Sequence, residues 1–150
     1  MMRPLLALTL LAFAAAGCGI GSRAVEYSDP RADAAGKAFA AASGKGNIYV
    51  YRNQVYMRET PLEVILDERW TGKTVGQTYF MVEVDTGMHL LRTKGDTPST
   101  LDVFVAGGKN VFIGLQINPG VMTAKGTLQL KDDGQGMAGV GECLRIDAIE

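Results

Sequence analysis

Acid–base chemistry in this chain would have to involve His89, the only histidine among 150 residues. An imidazole acts as a general base beside a nucleophile and a carboxylate, or binds a metal together with further ligands. There is no second histidine, and His89 follows a glycine turn in an expected strand, where such rings are usually packed or exposed. We therefore predict no catalytic residue, no cofactor and no metal. A small periplasmic hydrolase or metal-binding protein that uses His89 with nearby carboxylates is the alternative.

Methionines offer a second possible chemistry, because thioether groups are soft ligands for Cu(I). The candidates that would act with His89 are Met57, Met81, Met88, Met122 and Met137. They fall singly along the chain, without the closely spaced pairs that a copper site needs, so we interpret them as gap-filling side chains.

The chain has two cysteines, Cys18 and Cys143, which are too few for a disulfide scaffold. Arg145 is the only nearby group that would activate the thiol of Cys143, and Glu142 opposes it. A buried, unreactive thiol is therefore the better interpretation of Cys143. A disulfide bond between the two cysteines would exclude modification of Cys18 in the same molecule.

Cys18 follows a segment with the three parts of an export signal. Arg3 supplies a positive charge, Leu5 to Ala16 are apolar, and small residues lead to Gly17. The uncharged stretch from Pro4 to Ile20 has the minimum length for spanning a bilayer, and glycines near its end weaken a helix there. Two outcomes stay open: ordinary cleavage would release a soluble protein, whereas modification of Cys18 would anchor it.

The stretch Ala15-Ala16-Gly17-Cys18 resembles a bacterial lipobox, with Ala15 where leucine is usual. The resemblance implies that Cys18 receives a diacylglycerol through a thioether bond and that the signal peptide, residues 1–17, is removed. Buried acyl chains contribute about 0.8 kcal/mol per methylene, so two or more chains hold a protein firmly. Gly19 stands where aspartate retains such proteins in the inner membrane, which implies the outer membrane.

Residues 18–45 form an expected tether that is small and polar, and therefore flexible or partly helical. The alanine-rich stretch from Asp33 to Ser43 has helical propensity, and Phe39 offers an apolar ring that would dock on the following domain.

The remaining chain, residues 46–149, alternates apolar and polar residues in short runs separated by glycine, proline or aspartate. Examples are NIYVYR, PLEVILD, YFMVEV, TLDVFV and NVFIGLQI. A period of two at this spacing predicts an all-β domain, an antiparallel β-sandwich of about seven or eight strands with one face of each sheet solvated. The glycines from Gly134 to Gly139 superficially suggest a dinucleotide-binding loop, but no β-α-β pattern surrounds them and no useful helix is expected.

The formal net charge of −1, without a run of three basic residues, gives no reason to expect nucleic acid as a partner. Aromatic residues with a polar edge suit protein interfaces. The candidates for a contact surface are Trp70, Tyr49, Tyr51 and Tyr56, above all Trp70 and Tyr56, although some of these rings are expected to pack under the tether.

Several stretches resemble a bacterial lipoprotein family, the domain of unknown function 2846. They are GKGNIYVYR at 44–52, Thr74–Thr78, Val84–His89, Gly108–Ile113 and Gly141–Leu144, and the similarity spans residues 44–147. The sequence departs from the family at Val111, where an aromatic is usual, and in the glycine-rich segment 134–141, where the family has a helical turn. The resemblance implies a sandwich fold and an envelope location, and it transfers no catalytic residue. We expect a lipid-anchored, non-enzymatic component that binds another envelope protein or a polymer.

Overall fold

The computed structural model describes residues 25–95, 97–120 and 124–148, and for Trp70 and Thr71 it describes the main chain. The predicted signal peptide, residues 1–17, and Cys18 lie outside the described residues. Within the described ranges, neither helix has the length and apolar character needed to cross a membrane.

Two short helices and nine strands make up the described residues. In chain order they are α1 (Pro30–Gly36), β1 (Lys45–Arg52), β2 (Leu62–Leu66), β3 (Arg69–Thr74), β4 (Thr78–Asp85), β5 (Gly87–Thr93), β6 (Thr100–Val105), β7 (Asn110–Asn118), β8 (Lys125–Lys131), α2 (Asp133–Gly141) and β9 (Leu144–Arg145).

The strands form two sheets that face each other. One sheet has five strands in the order β8-β7-β1-β4-β9, and the other has four in the order β3-β2-β5-β6. Their inner faces meet in one apolar core, built from residues such as Ile48, Val50 and Ile113 on one side and Val64 and Leu91 on the other. Burial of these alternating side chains is the main stabilising term. The predicted all-β sandwich is confirmed.

Two strand pairings are parallel, so the expectation of a purely antiparallel sheet is wrong in this respect. Strand β7 lies parallel to β1, and β9 lies parallel to β4. A period of two predicts a strand but does not encode its direction, since direction depends on the long connections. There are also nine described strands rather than seven or eight. The strand that the alternating pattern did not predict is β3. Gly72 occupies a position in β3 where alternation would place an apolar side chain, and it lies close against the ring of Phe80.

The two sheets differ in what covers their outer faces. Every residue of β1 except the first is buried, because its inward side chains pack in the core and both helices pack over the outer face of the five-stranded sheet. Tyr49 and Tyr51 therefore point into an aromatic cluster with Tyr79 and Phe112, and the rings of Tyr49 and Phe112 stack at 5.1 Å. Neither ring is an exposed contact residue. Tyr49 packs under the expected tether, against Gly36 and Phe39, as was expected of some of these rings, and Tyr51 packs under α2.

The segment that precedes β1 is attached to the domain over residues 25–44. Asp29 caps α1 by accepting hydrogen bonds from the main-chain N–H groups of Arg31 and Ala32, and Pro30 occupies the first turn. The helix begins before Asp33 and ends at Gly36, well short of Ser43. The docking of Phe39 is confirmed, because its ring lies 5.5 Å from that of Tyr49.

The glycine-rich segment forms α2, although no useful helix is expected from its sequence. Asp132 caps the helix through a 2.8 Å hydrogen bond from the N–H of Gln135. Gly136 and Gly139 lie so close to the sheet that a Cβ atom would stand 2.1 Å from Phe112 and 2.2 Å from Tyr51, respectively. Tertiary packing outweighs the poor helix propensity of glycine here, because only glycine permits this close approach.

Candidate functional site

A groove of about 910 Å³ opens along the edge of the sandwich beside β4. Lys45 at the start of β1 and Asp85 at the end of β4 line it from one sheet. Asp67, between β2 and β3, and His89 in β5 line it from the other, and Asp147 lines it from the segment after β9. This groove is the candidate site because it contains the one histidine.

Asp67 is held in position by a tight turn. Asp67 and Glu68 both have positive φ, 48° and 64°, as a two-residue hairpin between β2 and β3 requires, and aspartate tolerates this conformation. The main-chain N–H of Asp67 donates to the carbonyl of Leu90 at 2.9 Å, and the N–H of Leu90 donates to Asp67 Oδ1 at 2.9 Å. The turn is thereby tied to β5.

Both ring nitrogens of His89 are occupied. Nδ1 lies 2.6 Å from Asp67 Oδ2, and Nε2 lies 2.8 Å from the carbonyl oxygen of Asp85. A carboxylate and a carbonyl only accept, so full satisfaction of both contacts requires a proton on each nitrogen, which is the imidazolium form. Burial alone would lower the pKa of His89, but the hydrogen bond and charge of Asp67 and the Asp85 carbonyl raise it.

The carboxyl group of Asp67 shows the reciprocal effect. Partial burial would raise its pKa, but the hydrogen bond with His89 and the main-chain N–H of Leu90 hold the pKa below its usual value. The pair is thus an ionic clamp between the β2–β3 turn and β5.

In this arrangement neither ring nitrogen of His89 is free to accept a proton from a substrate. An imidazolium has no lone pair with which to accept a proton or bind a metal. Among the described residues that line the groove, none carries a hydroxyl or thiol nucleophile. Within the same described ranges, no three histidine, cysteine or acidic side chains come together as metal ligands do. The structure does bring His89 beside a carboxylate in a concave surface, which is what the hydrolase alternative requires.

The groove carries balanced charge. Four cationic side chains, counting His89, accompany four carboxylates among its described lining residues: Lys45, Arg69, His89 and Arg145, with Asp67, Glu83, Asp85 and Asp147. Lys45 and Asp85 form an exposed ion pair, and the hydrogen bond and charge of Lys45 lower the pKa of Asp85. Balanced charge gives the groove no strong preference for an anionic or a cationic ligand.

The expected burial of Cys143 is confirmed. Its side chain lies beneath α2 in the aromatic cluster, with 1% of the residue exposed. Burial raises the pKa of the thiol to about 12, and the neighbouring charge of Glu142 adds to this effect. The thiolate that reacts with electrophiles is therefore scarce at neutral pH.

The predicted contact residues do not meet at the groove. Tyr56 lies in the loop between β1 and β2, where 59% of its surface is exposed, beside the exposed Val55. Trp70 is part of β3, where its main chain pairs with Ile65, and its side chain lies outside the described residues. The described methionines are also scattered: Met57 and Met81 are partly buried, and Met88 and Met137 are exposed. Met122 lies outside the described residues.

Arg52 positions the loop of Tyr56, a role that no sequence pattern predicted. The side chain is fully buried, and Nη1 donates to the carbonyl of Thr60 at 2.6 Å, while Nη2 donates to that of Met57 at 2.5 Å. Its Nε has no hydrogen-bond partner among the residues that the structure describes, and burial lowers the pKa of the guanidinium. No acidic residue adjacent in sequence marks the position, because its acceptors are main-chain carbonyls.

Comparison of the chain with models of known protein families gave no match, and comparison with curated proteins gave none either.

Proposed function

We propose that the chain is a bacterial lipoprotein, anchored to the outer membrane by acyl chains on Cys18, and a non-enzymatic binding or structural component of the envelope. The observation that carries the proposal is the stretch AAAGCGIG at residues 14–21, where a cysteine ends an apolar export signal. The order of the stretches that resemble the domain of unknown function 2846 also supports it.

The geometry of the groove supports the non-enzymatic part of the proposal. His89 uses both nitrogens to hold Asp67 and the Asp85 carbonyl, so its role is explained by the fold. The burial of Cys143 also supports the assignment of Cys18 as the thiol that is modified, since Cys143 is inaccessible to an acylating enzyme.

A partner surface is best sought around the loop that Arg52 holds. Loops carry recognition residues when a rigid scaffold positions them, and this loop presents Val55 and Tyr56 to solvent. Another envelope protein or a polymer with apolar or aromatic groups would suit that pair. Alanine at Tyr56 should reduce cross-linking to the partner in membranes, and an unchanged set of cross-linked proteins would argue against this surface.

The anchor is tested by the intact mass of the protein purified from membranes. The wild type should begin at Cys18 and carry the added mass of diacylglycerol and an amide-linked acyl chain. The Cys18→Ser variant should lack that added mass and should not be cleaved before residue 18. Cys143→Ser is the matched control and should be acylated like the wild type. An unmodified protein that partitions into the aqueous phase would refute the proposal.

The hydrolase or metal-binding alternative is favoured by one observation, the His89–Asp67 pair in the groove. It requires that an incoming substrate or metal displace one of the two hydrogen bonds of His89. Ester hydrolysis or metal binding by the purified protein, lost in His89→Gln and weakened in Asp67→Asn, would replace the proposal of a non-enzymatic component.

A further inference from the structure

The outer face of the four-stranded sheet carries an apolar patch, here named the β5–β6 patch, formed by Met88, Leu90 and Phe104. Met88 lies directly opposite Phe104 in the pairing of β5 with β6, and the two residues are 64% and 62% exposed. Their strand neighbours Leu91 and Val103 face the core. A contiguous group of large exposed apolar side chains is a candidate surface for contact with a protein or a membrane.

The patch lies at one end of the sandwich, here named the tip. The β4–β5 turn at Thr86 and the β6–β7 turn at Gly107 lie side by side there, and the exposed Lys109 follows in the second turn. Asp102, opposite Leu90, marks the limit of the patch along β6. An apolar tip with an adjacent lysine fits a bilayer interface, where apolar groups enter the headgroup region and ammonium groups meet phosphates.

At its first described residues the chain is directed toward the same end. Strand β9 runs parallel to β4, and Tyr27 forms an antiparallel bridge with Ile146 just after β9. The chain traced backwards from Tyr27 to Val25 therefore runs toward Asp85, the end of β4 at the tip. Cys18 precedes Val25 by seven residues, which span at most about 25 Å when fully extended.

We infer that the β5–β6 patch lies against the bilayer that holds the acyl chains of Cys18; this inference rests on the proposed function. The Tyr56 loop then faces away from the membrane. The loop follows Arg52, the last residue of β1, whereas the tip lies beside Lys45, the first residue of β1. Eight residues of strand place the two ends about 25 Å apart. A second copy of the chain is the competing occupant of the patch.

The inference is tested with the acylated full chain in vesicles of phosphatidylethanolamine and phosphatidylglycerol. Phe104→Cys introduces an accessible thiol for an environment-sensitive fluorophore, since Cys143 is buried. Tyr56→Cys is the matched control, because Tyr56 is 59% exposed at the opposite end. Nitroxide-labelled lipids should quench the probe at 104 several-fold more strongly than the probe at 56. Met88→Cys repeats the test and should give the same result as Phe104→Cys, and it replaces Phe104→Cys if that variant loses its circular dichroism spectrum.

Three results would overturn the inference. Equal quenching at 104 and 56 in acylated, vesicle-bound protein would refute the membrane contact and leave the anchor intact. Quenching that is weak at 104, with self-quenching of the probe that rises with the protein-to-lipid ratio, would assign the patch to a second copy. A mass without acyl chains, from protein that does not float with the vesicles, would refute the proposed function and this inference together.

Discussion

The two outer faces of the sandwich both carry large apolar side chains, but those on one face are buried and those on the other are exposed. On the five-stranded sheet, Tyr51 and Phe112 are 5% and 2% exposed beneath the helices. On the four-stranded sheet, Met88 and Phe104 are exposed. The covering elements come from segments with few large apolar residues, the expected tether and a glycine-rich stretch. The difference shows that a strand's own pattern does not determine the burial of its outward face, because the cover is supplied from elsewhere in the chain.

The two outer faces differ in how much they contribute to folding. The aromatic cluster under the helices removes large apolar areas from water and should contribute strongly to folding. The β5–β6 patch remains in water in the isolated chain, so its side chains contribute little to folding.

The largest expected contrast is between two phenylalanines on opposite faces. Phe112→Ala should lower the free energy of unfolding by about 3–5 kcal/mol, because it leaves a cavity among Phe39, Tyr49 and the helix. Phe104→Ala should change it by less than about 1 kcal/mol, since an exposed strand residue loses mainly local packing. Urea unfolding followed by circular dichroism measures both. Similar losses for the two variants would show that Phe104 is covered in the isolated chain.

A smaller effect is expected from adding one methyl group to the covering helix. Gly139→Ala places a Cβ atom against the ring of Tyr51 and should cost about 1–3 kcal/mol. Gly141→Ala, at the end of the same helix, meets nothing within 4 Å and should be neutral or stabilise by up to about 1 kcal/mol. Thermal unfolding of the pair provides the measurement. If Gly139→Ala were as stable as Gly141→Ala, α2 would not be seated on the sheet as described.

The sequence was sufficient for the strand-rich body because alternation such as that of Ile48 and Val50 is a local pattern. It was insufficient for α2, because the close approach of Gly136 to Phe112 joins residues far apart in the chain. The groove was predictable only in part: His89 stood out as the single histidine, whereas its partners, Asp67 and the carbonyl of Asp85, depend on a hairpin turn and on main-chain geometry.

The smallest expected effect concerns the ionic clamp of His89 and Asp67, which joins β5 to the β2–β3 turn. The raised pKa of His89 means that its contribution to stability is complete below the unfolded pKa of about 6.5 and is lost as the pH rises through the folded value. The lowered pKa of Asp67 means that its contribution is lost on acidification below about 3.9. The clamp should therefore be strongest between these limits.

The free energy of unfolding attributable to the clamp should fall by roughly 0.5–1 kcal/mol between pH 6 and pH 8, a modest amount because the Asp67 side chain is 45% exposed. His89→Gln preserves bulk but carries no charge, so it should remove this pH dependence, and Asp67→Asn should reduce it. Urea unfolding at several pH values gives the comparison. Parallel pH profiles for the wild type and His89→Gln would mean that the imidazolium does not stabilise the turn. Because the clamp acts on the four-stranded sheet, which neither described helix covers, Phe112→Ala should leave the pH dependence of the clamp unchanged.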